Sequence, residues 1–324
     1  MDLIDERRMG TGRLRIFGFS CVHYGDSDGH DVALWKTFLK KVHRTDNAVV
    51  FGLGDYTDWS RTTHRVSLKS AWGEDDKALS QHDTFLMEEV VWPFVRSVQQ
   101  HCPSFKQKCV VLVEGNHFGT MLSTRFTNGH TTTQEICRLL EVRYGGLLTG
   151  VRMMCYRSVG SRKLGTGHIL NVLLNHSVSS SGELPASLSS AERRIKRWSD
   201  VDIFLSGNDH QLGAMPIPNQ KWPRRGKLRL IDYERIVGKV GSFQRGYVEG
   251  TTNPYNYVEK KMLHPSKLGW LEFDAWIHSR SLRGESREVA GVSNTAEVWR
   301  FGNFSYGGDD EDRAGCRSEV SRLS

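Results

Sequence analysis

Hydrophobic and polar positions follow two different patterns along the chain. In the first half, short apolar runs at residues 14–19, 48–53 and 110–113 predict buried strands. Between these runs, apolar positions recur at helical spacing over 31–43 and 75–100, which predicts amphipathic helices. This alternation of strand and helix is typical of a sheet that carries helices on one face.

Polar residues and proline indicate where the helices begin and break. Asp31 is a suitable N-cap for the first helix. Pro93 lies within the second helix and is expected to kink or interrupt it, because proline has no backbone N–H to donate. A third helix is predicted at 133–141.

The second half of the chain is richer in strands. It contains one predicted helix at 189–198 and predicted strands at 151–156, 169–174, 201–205, 228–233, 268–277 and 298–301. The two halves together predict an α/β protein, a four-layer α-β-β-α sandwich of two packed mixed sheets with outer helices. We expect residues 1–302 to form one domain, with 213–302 as its β-rich second half. Residues 303–324 lack periodicity, which predicts a disordered tail.

Composition narrows the class of protein. No apolar run is long enough to cross a membrane, and the charged N-terminal segment has no apolar signal region. The six cysteines show no paired spacing, which indicates reduced thiols and predicts a cytoplasmic protein without a membrane partner. The net charge of +7 suits a phosphate-bearing partner such as nucleic acid, although a generally basic solvated surface explains it equally well.

Side chains able to bind a metal follow five of the predicted strands directly. In chain order they are Cys21-Val22-His23, Gly54-Asp55-Tyr56-Thr57-Asp58, Gly115-Asn116-His117, Asn175-His176 and Gly207-Asn208-Asp209-His210. Ligands of open α/β sheets bind outside the carboxyl ends of the strands, where the following loops meet. We therefore expect these five segments to converge in one crevice.

This ordered set resembles the calcineurin-like metallophosphoesterase family, whose pattern is DxH, GDxxD, GNH, a lone His and GHxH. The resemblance spans residues 14–213. Each motif alone is a weak signal, whereas five in order at strand ends are a strong one. Residues 241–247 also look like segments of phage-borne members of this family.

The resemblance implies a centre of two divalent cations, such as Mn, Zn, Fe or Ni, bridged by Asp55. The implied ligands are Cys21, His23 and His210 for the first cation, and Asn116, His176 and Asn208 for the second. His117 is implied to lie beside the substrate phosphate as a proton donor, oriented by Asp58. The glycines before Asp55 and Asn116 are expected to allow tight turns.

The activity implied by the resemblance is hydrolysis of phosphate mono- or diesters by a bridging hydroxide that the metals activate. The basic charge favours a phosphodiester of nucleic acid or nucleotide type, a nuclease substrate included. The alternative is a degenerate member of the family that keeps the fold and acts as a non-catalytic binding or scaffolding module.

Two positions depart from the family pattern. Cys21 stands in place of an aspartate, and a thiolate ligand shifts the preference toward Zn or Fe, unless Cys21 is only a small buried residue. A competing placement of the first motif is Asp28-Gly29-His30. Asn208 stands in place of a histidine and offers only a neutral carbonyl oxygen. A degenerate scaffold is expected to lose such ligands, whereas the retained pair of His117 and Asp58 favours an enzyme.

Overall fold

Two mixed six-stranded sheets form the centre of the molecule. They are seen in a computed structural model that describes residues 2–9, 13–25, 29–58, 76–123, 129–159, 162–176, 184–221, 231–245, 267–281 and 295–307. Within these residues, no helix is long and apolar enough to cross a membrane.

The first sheet carries three of the predicted motif strands side by side. In spatial order its strands are β12 (Thr295–Tyr306), β11 (Leu271–Ser281), β2 (Arg13–Phe19), β3 (Ala48–Leu53), β4 (Cys109–Val113) and β5 (Tyr144–Gly145). The strands from β2 to β5 are parallel, while β11 is antiparallel to both β2 and β12. The carboxyl ends of β2, β3 and β4 therefore lie at one edge.

The second sheet carries the other two motif strands. In spatial order its strands are β1 (Asp2–Met9), β6 (Leu148–Val159), β7 (Arg162–His176), β8 (Ile203–Gly207), β10 (Ile231–Val240) and β9 (Leu212–Lys221). Here β7, β8 and β10 are parallel, and the neighbouring β6 and β9 are antiparallel to β7 and β10 respectively.

Most helices follow the predicted pattern, but the helix predicted at 189–198 is observed at Leu184–Ile195. The helices are α1 (Val32–Arg44), α2 (Asp76–Phe85), a π-helical segment (Leu86–Val91), α3 (Trp92–His101), α4 (Phe105–Lys108), α5 (Thr132–Leu140) and α6 (Leu184–Ile195). Asp31 caps α1 as predicted, since its side chain accepts a hydrogen bond from the Leu34 N–H. The interruption expected at Pro93 lies before that residue, where the chain forms the π-helical segment. Pro93 itself lies in the first turn of α3, where proline is tolerated.

Three apolar layers hold the elements together. The layer between the sheets contains Ile16, Phe51, Leu174, Leu205 and Ile236. The outer face of the first sheet packs through Phe17 and Phe19 onto an aromatic group from α1 and α3, formed by Trp35, Phe38 and Phe94. The outer face of the second sheet packs on α6 through Phe204, Val237, Ala191 and Ile195. The predicted four-layer α-β-β-α sandwich is therefore confirmed.

The last strand extends past the predicted start of the tail. Residues 303–306 belong to β12, and the Gly307 N–H donates to the Trp270 carbonyl at 3.0 Å. The backbone carbonyl of Asn303 also accepts from Arg15 Nη1 at 3.1 Å. Residues 308–324, the rest of the predicted tail, lie outside the described residues.

Candidate metal centre

The carboxyl ends of five strands from both sheets meet at one place. The loops after β2 and β3 run side by side, because the Cys21 N–H donates to the Gly54 carbonyl and the His23 N–H to the Asp55 carbonyl. The end of β7 joins them from the other sheet, where His176 Nδ1 lies 2.5 Å from the carbonyl oxygen of Leu53. A Cβ built on Gly207, at the end of β8, would lie 3.0 Å from the same oxygen. The convergence expected from the sequence is thus observed.

The backbone at this meeting point is strained. Among the described residues, seven non-glycine residues have positive φ, and five of them are candidate ligands: Cys21 (50°), His23 (48°), Asp55 (55°), Asn208 (78°) and His210 (56°). Such conformations cost about 1–3 kcal/mol each and persist only where the surrounding structure enforces them. They concentrate at functional sites, and here they occur in three separate loops that surround one point.

Cys21, His23 and His210 form the first group of candidate ligands. Their ligand atoms all lie within 4.8 Å of one another, and the rings of His23 and His210 are 5.8 Å apart between centroids. Among the residues that the structure describes, the buried Nε2 of His23 finds no hydrogen-bond partner. A buried polar atom of this kind calls for a partner, and a cation held by one sulfur and two imidazoles would supply it.

The charge state of Cys21 suits metal binding. Burial alone would raise the pKa of its thiol, but the adjacent His210 and His23 outweigh this effect and lower the pKa to about 5. At neutral pH the side chain is therefore a thiolate, which is the form that ligates metals. A cysteine that only filled space in the core would gain nothing from two imidazoles beside its sulfur.

Asp55, Asn116 and His176 form the second group. His176 Nε2 lies 2.7 Å from Asn116 Oδ1 and 3.1 Å from Asp55 Oδ2. Because Nδ1 of the same ring faces the Leu53 carbonyl, which can only accept, Nδ1 carries a proton and Nε2 offers a lone pair in the neutral ring. Burial would lower the pKa of His176, but Asp55 outweighs burial and raises the pKa to about 9, so a proton on Nε2 supplies the positive charge among these atoms when no metal is bound. A cation at this place would replace that proton. A divalent cation fits this arrangement.

Asp55 contacts His176 of its own group and acts electrostatically on the first group. Its Oδ1 accepts hydrogen bonds from the backbone N–H groups of Asn116 (2.8 Å) and His117 (2.9 Å), and its Oδ2 faces His176. Burial would raise the pKa of Asp55, but His176, His23 and His117 hold it well below its usual range. The carboxylate also acts electrostatically on Cys21 and His23. The resemblance implies Asp55 as the bridging ligand, and its contact with His176 and its electrostatic effect on Cys21 and His23 are compatible with that role.

Asp58 contacts two histidines at the mouth of the site. Its Oδ1 lies 3.2 Å from His23 Nδ1 and 3.3 Å from His117 Nδ1, and the two rings meet edge to face at 4.9 Å. Burial would raise the pKa of Asp58, but hydrogen bonds from His117 and His23 lower it below its usual range. The sequence predicted the contact with His117 and missed the contact with His23.

The loop after β8 carries the last candidates. Asn208 and His210 follow the strand directly, with Asp209 between them. Asp209 pairs with Lys239 and accepts a hydrogen bond from Ser187. The structure thus brings His210 to Cys21 and His23, and places Asn208 at the same edge in a left-handed conformation.

The two glycines of the motifs have different roles. Gly54 has a φ of +86°, which fits the tight turn expected before Asp55. Gly115 has no such backbone, so the turn predicted before Asn116 is not the reason for this glycine. A Cβ on Gly115 would lie 2.2 Å from Asp55 Oδ1, so its small size allows the Asn116 loop to approach the carboxylate.

The competing placement of the first motif is not favoured. His30 is buried, its Nδ1 lies 2.7 Å from the Val22 carbonyl, and its ring packs 5.0 Å from that of Tyr24. His30 belongs to neither group of candidate ligands found among the described residues. Asp28 lies outside the described residues.

Supporting residues that the sequence did not reveal surround the loops. Glu114 accepts hydrogen bonds from Thr131 Oγ1 (2.7 Å) and Tyr144 Oη (3.0 Å), which fixes the start of the Asn116 loop. Ser242 Oγ donates to the Cys21 carbonyl at 3.1 Å. Glu114 follows an apolar run directly, and this position could have marked it as a supporting residue. No pattern in the sequence marks Ser242.

Comparison with known proteins gives the fold its context. The sequence matches no protein-family model and no curated protein. Among solved structures, the chain is similar to Vps29 of Entamoeba histolytica complexed with Zn²⁺, with 12% identity and a TM-score of 0.33 over 88% of this chain and 99% of that one. It is also similar to Vps29 of Chaetomium thermophilum, with 10% identity and a TM-score of 0.33 over 92% and 99% of the two chains. With TM-scores this low, the geometry of this chain, and not the likeness, supports the function proposed for it.

Proposed function

We propose that the chain is a metal-dependent phosphoesterase of the calcineurin-like metallophosphoesterase family, with two divalent cations in its centre. One observation carries the proposal. Cys21, His23 and His210 offer ligand atoms within 4.8 Å of one another, while His176 Nε2 lies 2.7 Å from Asn116 Oδ1 and 3.1 Å from Asp55 Oδ2. Asn208 is proposed as a further ligand in the second group.

The donor atoms divide by chemical type. The thiolate and two imidazoles of the first group suit Zn or Fe, whereas the amide and carboxylate oxygens around His176 suit a harder cation such as Mn. This division favours a centre in which the two positions differ in metal preference. Bound cations of this kind supply Lewis acidity and a water of lowered pKa for attack on phosphorus.

The protein's own residues orient the substrate and move the proton. Asp58 Oδ1 lies 3.3 Å from His117 Nδ1 at the mouth of the site, and this contact would favour Nε2 as the atom that gives a proton to the leaving oxygen. The backbone N–H of His117 donates to Asp55. The proton donor and the bridging carboxylate are therefore fixed relative to each other.

The substrate class follows from charge. The net charge of +7 favours a polyanionic ester, so we propose a phosphodiester of nucleic acid or nucleotide type as substrate. Both substrate types contain a phosphodiester. Hydrolysis of a short oligonucleotide would indicate the nucleic acid type, and hydrolysis of a cyclic or dinucleotide ester would indicate the nucleotide type.

A second candidate function is a non-catalytic binding or scaffolding module. The observation that favours it is that Cys21 and Asn208 replace an aspartate and a histidine of the family pattern. The retained contact between Asp58 and His117 opposes it, because a scaffold has no use for an oriented proton donor.

One experiment separates the two functions. Purified protein is assayed for hydrolysis of bis-p-nitrophenyl phosphate with Mn, Zn, Fe, Ni or Co, beside a variant carrying Cys21→Asp and Asn208→His. An enzyme hydrolyses the ester with at least one metal before any substitution. Hydrolysis only by the double variant supports the scaffold, and no hydrolysis by either protein with any metal contradicts the enzyme.

A further inference from the structure

A buried charge pair lies behind the loop that carries Asn208 and His210. Lys239 Nζ, on β10, lies 2.5 Å from Asp209 Oδ2, and each side chain is only 2% exposed. Ser187 Oγ, on α6, donates a hydrogen bond to the same oxygen. The Asp209 carboxylate is therefore held by strand β10 on one side and by an outer helix on the other.

A buried ion pair is a costly way to fill this space. Desolvation of the two charges offsets much of their attraction, and apolar residues of similar volume are often as stabilising in such positions. The pair therefore points to a requirement other than stability. In some proteins buried polar groups of this kind select one conformation over its alternatives, and the segment next to this pair is the loop that carries Asn208 and His210.

The conformation that needs fixing is that of the loop itself. Asn208 and His210, on either side of Asp209, both have left-handed backbones, with φ of 78° and 56°. Two left-handed residues this close together persist only where the surrounding structure excludes other backbone conformations. The next residue is also anchored, since the Gln211 carbonyl accepts from the Gly241 N–H at 2.9 Å.

We propose that Asp209, Lys239 and Ser187 form a clamp that positions His210 beside Cys21 and His23, and so sets the affinity and geometry of the first metal position. The proposal rests on the proposed metal centre. The three residues touch neither metal nor substrate and act through the backbone of the loop. They are positioning residues, comparable to the outer hydrogen-bond partners that orient ligands in other metal sites.

The test removes the clamp and keeps the packing. Asp209→Leu with Lys239→Met replaces both charges by apolar side chains of similar size. Metal-free protein is titrated with Co²⁺, and the absorption of the bound ion reports both the Kd and the thiolate and imidazole geometry of the first position. The unfolding midpoint is measured on the same samples. Arg235→Met is the control, because it removes another buried cation of β10 whose partners are the carbonyls of Ile195 and Val201.

The clamp predicts that the double variant keeps its unfolding midpoint while its Kd for Co²⁺ rises about 10–100-fold and the absorption spectrum changes. Arg235→Met should behave in the opposite way, with a lower midpoint and an unchanged Kd and spectrum. Ser187→Ala removes only the hydrogen bond from the serine hydroxyl. It should change the absorption spectrum in the same direction, with a smaller rise in Kd. If the double variant does not fold, Ser187→Ala replaces it in the test.

If the double variant, or Ser187→Ala in its place, has the same Kd and spectrum as the unmodified protein, the clamp is overturned. The proposed metal centre is not affected by that result. Absence of Co²⁺ binding by the unmodified protein overturns the proposed metal centre and the clamp with it. The two failures are therefore distinguishable.

Discussion

Asp58 Oδ1 lies 3.2 Å from His23 Nδ1, and this contact connects the mouth of the site to the first group of candidate ligands. A carboxylate acceptor at Nδ1 keeps the proton on that nitrogen, which leaves Nε2 with its lone pair for a metal. Since the same oxygen also faces His117, one carboxylate orients both a ligand and the proposed proton donor.

Replacing Asp58 should therefore impair two properties at once. Asp58→Asn removes the charge that fixes both rings, so we expect the affinity for the first cation to fall about 10–100-fold and turnover to fall further. Co²⁺ titration and hydrolysis of bis-p-nitrophenyl phosphate measure the two effects. Asp274→Asn is the control, because Asp274 pairs with Arg15 of β2, away from the metal-binding edge. An Asp58 variant with reduced turnover and unchanged affinity would mean that the contact with His23 is incidental.

Cys21 should determine which metal occupies the first position. Cys21→Asp replaces a soft sulfur with hard oxygens, so we expect preference to move from Zn toward Mn. Competition between Zn and Mn, followed by elemental analysis of the protein, measures this shift. Cys102→Ser, at the end of α3, is the matched control and should leave the preference unchanged. Equal metal preference in the Cys21 variant and the unmodified protein would exclude sulfur as a ligand.

The close approach at Gly115 gives a sharper structural test. An added methyl group there would meet Asp55 Oδ1 at 2.2 Å, so Gly115→Ala should displace the bridging carboxylate and abolish binding of both cations. Gly146→Ala is the matched control, because a Cβ at that position has no atom within 4 Å. Metal content of the two purified variants decides the question. Full metal content in the Gly115 variant would contradict the bridging role of Asp55.

The buried carboxylate of Glu272 predicts how stability depends on pH. Burial alone would raise its pKa, but hydrogen bonds from Ser305, Trp270, Lys41 and Arg15 outweigh burial and lower the pKa. A group whose pKa is lower in the folded state stabilises the fold above its unfolded pKa of about 4.3. That contribution is lost as the pH falls through the folded pKa.

Glu272→Gln should therefore cost about 1–3 kcal/mol of unfolding free energy at pH 7, and the difference should shrink as the pH falls below about 5. Urea denaturation at a series of pH values measures both quantities. Exposed Glu88→Gln should follow the unmodified protein throughout. A constant difference at all pH values would show that the charge of Glu272 contributes nothing.

The sequence predicts those parts of the fold in which burial leaves a clear pattern. Buried parallel strands such as β3 appear as unbroken apolar runs, and the candidate ligands follow them directly, so both the strands and the convergence of Asp55, Asn116 and His176 were foreseeable. Strands at the edges of the sheets have no such pattern. β1 reads DLIDERRM, and β9 contains Pro216 and Pro218, which only an edge strand tolerates.

Long-range polar contacts were not predictable for a different reason. Lys239 lies 30 residues from Asp209, and its position in β10 gives no indication of which carboxylate it meets. Likewise, the second contact of Asp58 depends on the left-handed turn at His23, which no local residue pattern announces. Such contacts depend on the packing of the two sheets and become visible only in three dimensions.

The most direct test of the proposed function is the rate of phosphodiester hydrolysis as metal-free protein is loaded with metal. We predict that hydrolysis of bis-p-nitrophenyl phosphate rises as two cations bind per chain. The variant His117→Ala should bind the same two cations and turn over about 10²–10⁴-fold more slowly. His130→Ala, a histidine paired with Glu135, should match the unmodified protein. No hydrolysis at any metal loading, or hydrolysis that is indifferent both to metal removal and to His117→Ala, would contradict the proposed function.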